Sequence, residues 1–267
     1  MIMMRQRKLK DLDERMEDLA DYLDKDGRQN KGQWRKVFAQ QLIASSWEVS
    51  RMLYEGVMSE EELEQSLCPP DSQLCLEIGC GKGKFMCDRA KAFPDSMMIG
   101  IEGQESVIVR AAEKIREHGF WNAYLISGYV HDIHEFFEDG ELDGIFLNFS
   151  DPWPKARHAR RRLTCRENLA AYMDVIRDGG FIEFKTDNSD LFDFTLEEID
   201  ALGLETDEVS EDLHLSDRSA GTGPDEDYQS DDSEEFDGIN ASERFRTEYE
   251  EKFMKKGVKI KYVRLVK

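Results

Sequence analysis

The chain has 267 residues, 40% hydrophobic and 35% charged, with a formal net charge of −21. That length can bury the core of one large α/β domain or two small ones. No run of about eighteen apolar residues occurs, so no membrane span is expected. Met1 to Lys10 has cations but no apolar core or small-residue cleavage site, which argues against a secretory signal and for a cytoplasmic location.

The chain opens with Arg5, Arg7, Lys8 and Lys10 and passes into a mixed-charge stretch of helical character up to residue 16. Gly27 to Gly32 is a polar break. From Trp34 to Met58, Val37, Phe38, Leu42, Ile43, Trp47, Met52 and Leu53 recur at three-to-four spacing, which predicts one or two amphipathic helices. Ser59 to Leu67 begins with a Ser-x-x-Glu capping box and stops before Pro69-Pro70, a further helix. Residues 1–72 are therefore expected to be a basic arm and helical extension preceding a domain at 73–267.

From Leu74 the pattern alternates. Strands are predicted at Leu74–Ile78, Met97–Ile101, Ala123–Ser127, Gly144–Asn148 and Phe181–Lys185. Helices are predicted at Phe85–Ala92, Ser106–His118, around Ile133–Phe137, Glu167–Ile176 and Leu191–Leu202. Such alternation predicts an α/β fold with a doubly wound, mostly parallel sheet, whose ligands bind beyond the carboxyl ends of the strands. Glu205 to Glu243 holds fifteen acidic residues against Arg218 alone, an acidic insertion expected to be mobile at about 205–240. Ser242 to Lys256 is read as a loop and helix, and Val258 to Val266 as an edge or hairpin strand.

The first strand runs into Glu77-Ile78-Gly79-Cys80-Gly81-Lys82-Gly83. A dinucleotide fingerprint would place glycine at the first, third and sixth positions; here the sixth is Lys84, and Glu77 is a poor neighbour for phosphate. A carboxylate there suits an ammonium. Glu102, ending the second strand, is placed to accept hydrogen bonds from ribose hydroxyls. An adenosyl ligand with a cationic amino-acid tail fits both acids, and S-adenosylmethionine has that chemistry. The alternative is a glycine-rich turn with no ligand.

The fourth strand ends in Asn148-Phe149-Ser150-Asp151-Pro152-Trp153-Pro154, and Lys155, Arg157, Arg160, Arg161 and Arg162 place five cations within the next eight residues, with His158 among them. A carboxylate kept out of helix by prolines, beside an indole and a basic run, suits a polyanionic aromatic substrate, nucleic acid first. A packed turn followed by a solvated basic helix face is the plainer alternative.

These segments resemble the bacterial tRNA (guanine-N7-)-methyltransferase (TrmB) family. The motifs are Leu-Glu-Ile-Gly-Cys-Gly-Lys-Gly, Ile-Gly-Ile-Glu, Asn-Phe-Ser-Asp-Pro-Trp-Pro-Lys, Phe-Lys-Thr-Asp and, downstream, Thr247-Glu248-Tyr249-Glu250. The resemblance implies a Rossmann-like class I S-adenosylmethionine-dependent methyltransferase with a seven-stranded sheet and an antiparallel C-terminal strand. Its implied activity is methylation of N7 of guanosine 46 in the tRNA variable loop. It implies cofactor contacts at Glu77, Gly79, Gly81, Glu102, the position of Tyr129, and Asp151, with Asp151 also catalytic. It implies substrate contacts at Lys155, Asp187, Thr247, Glu248, Tyr249 and Glu250, and RNA contacts at Arg157, His158, Arg160, Arg161 and Arg162. Guanine N7 carries a lone pair and no proton, so Asp151 and Asp187 are expected to orient the base rather than deprotonate it, with Trp153 or Tyr249 available for stacking.

The chain departs from the family at three places. Tyr129 stands where an aspartate is usual, and both the Trp34–Leu74 connection and the acidic segment are longer. Two other functions remain open: a methyltransferase fold that binds tRNA with weak or no catalysis, and a small-metabolite methyltransferase, which would leave the arginine run unused. Cys68, Cys75, Cys80, Cys87 and Cys165 contain no Cys-x-x-Cys pair and read as reduced thiols, and His131 and His134 lack a third ligand, so no metal is expected. The sequence is compatible with a monomer or a homodimer.

Overall fold

A computed structural model describes residues 10–69, 72–214 and 245–267. Among these, eight strands form one sheet: β1 Leu23–Asp24, β2 Leu74–Ile78, β3 Met97–Glu102, β4 Ala123–Ser127, β5 Leu142–Asn148, β6 Ile176–Thr186, β7 Thr206–Ser210 and β8 Lys261–Val266. Their order is β1-β4-β3-β2-β5-β6-β8-β7. The chain enters the long strands at β2, adds β3 and β4 on one side, then crosses to add β5 and β6 on the other, all parallel. β8 returns antiparallel to β6, and β7 pairs antiparallel with β8. The winding reverses between β2 and β5, so the crevice beyond their carboxyl ends is where such a sheet takes a ligand. Two segments leave there: the glycine loop after β2 and the Asp151 loop after β5.

The nine α-helices among the described residues are α1 Leu12–Asp18, α2 Trp34–Ser45, α3 Trp47–Tyr54, α4 Glu60–Leu67, α5 Lys84–Ala92, α6 Glu105–His118, α7 Arg166–Val175, α8 Ser189–Leu202 and α9 Glu248–Met254. One sheet face packs against Trp34 and Phe38 of α2, Leu169 and Tyr172 of α7, and Leu191 and Phe192 of α8. The other packs against Leu12 and Met16 of α1, Phe85 and Met86 of α5, and Ile108 and Val109 of α6. β2 and β5 are buried along their whole length, as a parallel sheet covered on both faces requires. Each large apolar side chain so buried contributes about 1.5–3 kcal/mol.

The sheet has eight strands rather than seven. β1 adds a two-residue parallel edge, Leu23 opposite Leu125 and Asp24 opposite Ile126. Neither β1 nor β7, Thr-Asp-Glu-Val-Ser, shows apolar alternation; both are recruited by their neighbours' free edges. The helix expected around Ile133–Phe137 is one 3-10 turn, Ile133–Glu135, opened by the Asp132 carboxylate accepting from the His134 amide at 3.0 Å. The Ser59–Glu62 capping box forms as expected. The N-terminal segment is stitched to the sheet domain: Trp34 Nε1–H donates to the Phe136 carbonyl at 3.0 Å, and its ring lies 5.8 Å from those of Tyr124 and Phe137. All five thiols are buried and unbridged, and burial pushes Cys68 to about 11 and Cys87 to about 12, so neither is a nucleophile near neutrality. Of the acidic insertion expected to be mobile at about 205–240, Thr206–Ser210 is instead β7, held by pairing with β8, and residues 215–240 lie outside the described residues.

Candidate active site

β2 delivers Glu77 to the switch point with its side chain 2% exposed. Oε1 accepts from Asn148 Nδ2 of β5 at 2.9 Å; Oε2 is buried and finds no hydrogen-bond partner among the described residues. Burial raises its pKa to about 7, against the lowering influence of the Asn148 bond and the Lys185 ammonium. Gly79 and Gly81 follow with φ of 82° and 58°, where a side chain would be strained, although a Cβ at either would meet nothing within 4 Å. The open side of the loop leaves room for a ligand. Glu102, ending β3, accepts from the Gly81 amide at 3.2 Å and the Gln104 amide at 2.8 Å. Burial raises its pKa too, those amides oppose the rise, and the negative charge of Asp151 adds to it. Glu102 thus lies within electrostatic reach of both Glu77 and Asp151, a run of negative charge suited to a cation. A buried carboxylate oxygen without a partner, an open glycine loop and a partly buried acid at the ribose position fit S-adenosylmethionine.

Linkage gives Glu77 a measurable signature. Its carboxyl binds a proton more tightly folded than unfolded, so stability falls as pH rises from about 4.5 to about 7 and then levels, a loss of roughly 3 kcal/mol. Glu77→Gln is therefore expected to raise the melting temperature at pH 8 while weakening S-adenosylmethionine binding. Thermal melts and calorimetric titration check the two effects, and a parallel loss of both would contradict the assignment.

The Asp151 loop is bracketed by Phe149 and Trp153, both non-glycine residues at positive φ, 53° and 40°. Each such conformation costs of order 1–3 kcal/mol and persists only where its surroundings hold it. The Phe149 amide donates to the Lys185 carbonyl at 2.9 Å and its ring lies 6.0 Å from Phe253 of α9. Arg162 grips the other side, donating from Nε to the Pro152 carbonyl at 3.0 Å and from an Nη to the Trp153 carbonyl at 3.2 Å, its guanidinium 4.2 Å from the centre of the Phe194 ring. Asp151 itself is exposed, as are Lys155, Arg157, Arg160 and Arg161 in and beside the 3-10 turn Ala156–Arg161. Arg161 lies over the Trp153 ring at 5.0 Å and His158 meets it edge-on at 5.8 Å, so the indole is packed against its own basic segment. Asp187, exposed, follows β6 next to this loop.

α9 is pinned across the glycine loop by charge. Glu248 takes Lys82 and Lys114, each at 3.2 Å, and Lys84 takes Glu251 at 3.1 Å. Burial works against ionisation of Glu248, but its two lysines hold it below the ordinary carboxylate range. Tyr249 remains largely exposed, its ring 6.4 Å from Phe253. Tyr129 is also exposed, and its ring lies close against Gly103, where any Cβ would collide with it at 2.2 Å. Its ring therefore borders the segment that follows Glu102.

Two expected contact residues face inward. Arg162 is buried and clamps the loop backbone instead of facing RNA, because the short turn after Lys155 rotates it out of line with Arg160 and Arg161. Glu250 is fully buried instead of meeting substrate: with Thr247 it closes the capping box of α9, and its carboxylate takes Lys185 Nζ at 3.2 Å and His214 Nε2 at 2.6 Å. Thr247 caps α9 by accepting from the Glu250 amide at 3.0 Å. Sequence reasoning missed Asn148, Lys82, Lys114, Lys185 and His214. Only Lys185 left a signal, a lysine inside an apolar strand that buries only with a partner. With the tRNA substrate that the resemblance implies, Arg162→Ala is expected to lower kcat about tenfold or more by releasing the loop, with the salt dependence of tRNA binding unchanged; Arg161→Ala should flatten that dependence instead.

The switch-point crevice, its glycine loop flanked by acids and the antiparallel closing strands define a Rossmann-like S-adenosylmethionine-dependent methyltransferase. A family model described as "Putative methyltransferase" matches residues 71–222. A structure titled an antibiotic-related methyltransferase superposes with a TM-score of 0.50 at 18% identity, over 79% of this chain and 94% of that one, a likeness of fold. Two relatives named tRNA (guanine-N(7)-)-methyltransferase are closer in sequence. That of Halalkalibacterium halodurans is 42% identical over 70% of this chain and 74% of its own length. That of Latilactobacillus sakei is 36% identical over 83% and 92%. The chain belongs to the tRNA (guanine-N(7)-)-methyltransferase family.

Proposed function

We propose that this chain transfers a methyl group from S-adenosylmethionine to N7 of guanosine 46 in the variable loop of tRNA, in the cytoplasm. The observation that carries this is the convergence of three carboxylates at the switch point, one of them, Asp151, on the loop that leads into the basic run. Residues 73–267 are then the catalytic domain and residues 1–72 an arm and helical extension.

In this scheme the free oxygen of Glu77 takes the ammonium of S-adenosylmethionine, Glu102 the ribose hydroxyls, and Tyr129 lines the adenine. When bound, that group supplies an electrophilic methyl on sulfonium sulfur, which the N7 lone pair takes as the carbon–sulfur bond breaks. Asp151 and Asp187 accept hydrogen bonds from guanine N1–H and the exocyclic amine, and so hold N7 toward the donor. Asp151 also favours the positive charge that develops on the ring. No base is needed at N7. Lys155, Arg157, His158, Arg160 and Arg161 meet the phosphates, with Thr247, Glu248 and Tyr249 at the edge of the base site. A tRNA transcript carrying adenosine at position 46 should take up no methyl label where the guanosine transcript does. Equal labelling of both would overturn the assignment of that position.

A further inference from the structure

The cationic surface of this chain does not end with the Asp151 loop. α9 leaves the active site through a second basic segment, Lys252, Lys255, Lys256 and Lys259, all exposed. Among the described residues none of these ammoniums has an acidic partner within salt-bridge distance; the one polar contact is Lys252 over the Tyr249 ring at 5.7 Å. By contrast Lys82, Lys84, Lys114, Lys185 and Lys261 are all paired with carboxylates. Four lysines within eight residues, without a carboxylate partner among the described residues, are conspicuous in a chain of net charge −21.

Helix stability explains only part of the cluster. Cations near the last turn complement the helix dipole, an effect confined to that turn. Lys252 and Lys255 satisfy it. Lys256 lies in the turn past the end of α9, and Lys259 follows Gly257, where φ of 67° reverses the chain toward β8. The position of the cluster supplies the second argument. Phe253, within this segment, packs on Phe149 of the Asp151 loop, and Tyr249 packs on Phe253. The lysines are thus carried on the same rigid unit as the catalytic loop, held by the Glu248, Glu250 and Glu251 ion pairs.

We infer that Lys252, Lys255, Lys256 and Lys259 form a second phosphate-binding surface for the substrate tRNA, continuous with the catalytic loop, so that the RNA backbone is held by two basic segments around the methylated base. The inference rests on tRNA being the substrate. Neutralising cations that contact phosphate reduces the number of counterions released on binding, and so flattens the dependence of affinity on salt.

The test uses the full chain with Lys255, Lys256 and Lys259 changed together to Gln, and a second variant with the same three changed to Arg. tRNA affinity is measured between about 50 and 200 mM salt, with S-adenosylmethionine binding and thermal melting measured in parallel. The Gln variant should bind tRNA on the order of tenfold or more weakly at low salt, with the slope of log K against log salt reduced by about 2–3. S-adenosylmethionine affinity should be unchanged, the melt should fall only slightly through loss of the Lys255 charge at the helix end, and the Arg variant should retain the wild-type slope. An unchanged slope in the Gln variant overturns the second surface while leaving the substrate intact. Failure of the wild-type chain to bind tRNA with any salt dependence removes the substrate assignment and the surface with it.

Discussion

Asp151→Ala is expected to lower kcat/KM for tRNA by about two orders of magnitude or more, because in the proposed scheme the loss falls on orientation of the base. The side chain is exposed and carries no packing, so the melt should not move. Asp151→Asn separates two contributions. The amide keeps an acceptor for the base and loses the charge that favours the alkylated ring, so its activity should lie between wild type and alanine. S-adenosylmethionine binding should respond differently. Asp151 raises the cost of ionising Glu102, so removing the charge lets Glu102 ionise at lower pH, which in the proposed scheme extends its hold on the ribose. Single-turnover kinetics with a separately measured cofactor affinity resolve these effects. A variant with wild-type turnover would place the critical contact elsewhere on the loop.

The largest effect on stability belongs to Glu250 and Lys185. Both are fully buried, and removing one partner strands the other; such a loss costs about 3–5 kcal/mol, a large fraction of the roughly 5–15 kcal/mol that holds a typical domain. Glu250→Ala strands Lys185 and unpins α9 together. Lys185→Met leaves Glu250 with His214 and should be the milder change. The double variant Lys185→Met/Glu250→Ala should destabilise by less than the sum of the two, which denaturant titration measures. Burial opposes the charge on Glu250, but Lys185 and His214 hold its pKa below the ordinary carboxylate value. A depressed acid contributes its stability above the unfolded value, near 4.5, and loses it as pH falls through the folded one. Wild-type protein should therefore lose the docking of α9 on acidification below about pH 4.5, and the double variant should lack that component.

The sheet and its crevice were legible because apolar runs and helical periods alternate so regularly between Leu74 and Leu202. That Glu77 and Glu102 reach the switch point was legible because each sits at or beside the end of a strand, where topology alone brings them together. Arg162 and Glu250 were not. In sequence Arg162 is one of three consecutive arginines, and only the fold shows it turned back onto the Pro152 and Trp153 carbonyls. Glu250 stands in a motif that reads as a polar edge, and its burial depends on Lys185, sixty-five positions earlier. Long-range pairs of this kind leave no local pattern. The same holds for β1 and β7, whose strand conformation comes from the free edges of β4 and β8 rather than their own residues.

The most direct measurement is the position and atom of methyl transfer. Wild-type protein is incubated with S-adenosylmethionine carrying a labelled methyl group and an unmodified tRNA transcript, and the product is subjected to borohydride and aniline, which cleave the chain at 7-methylguanosine. Label at one guanosine of the variable loop, with scission at that residue, is the predicted result. Label elsewhere in the RNA, label without scission, or tRNA binding without transfer would contradict the proposed chemistry.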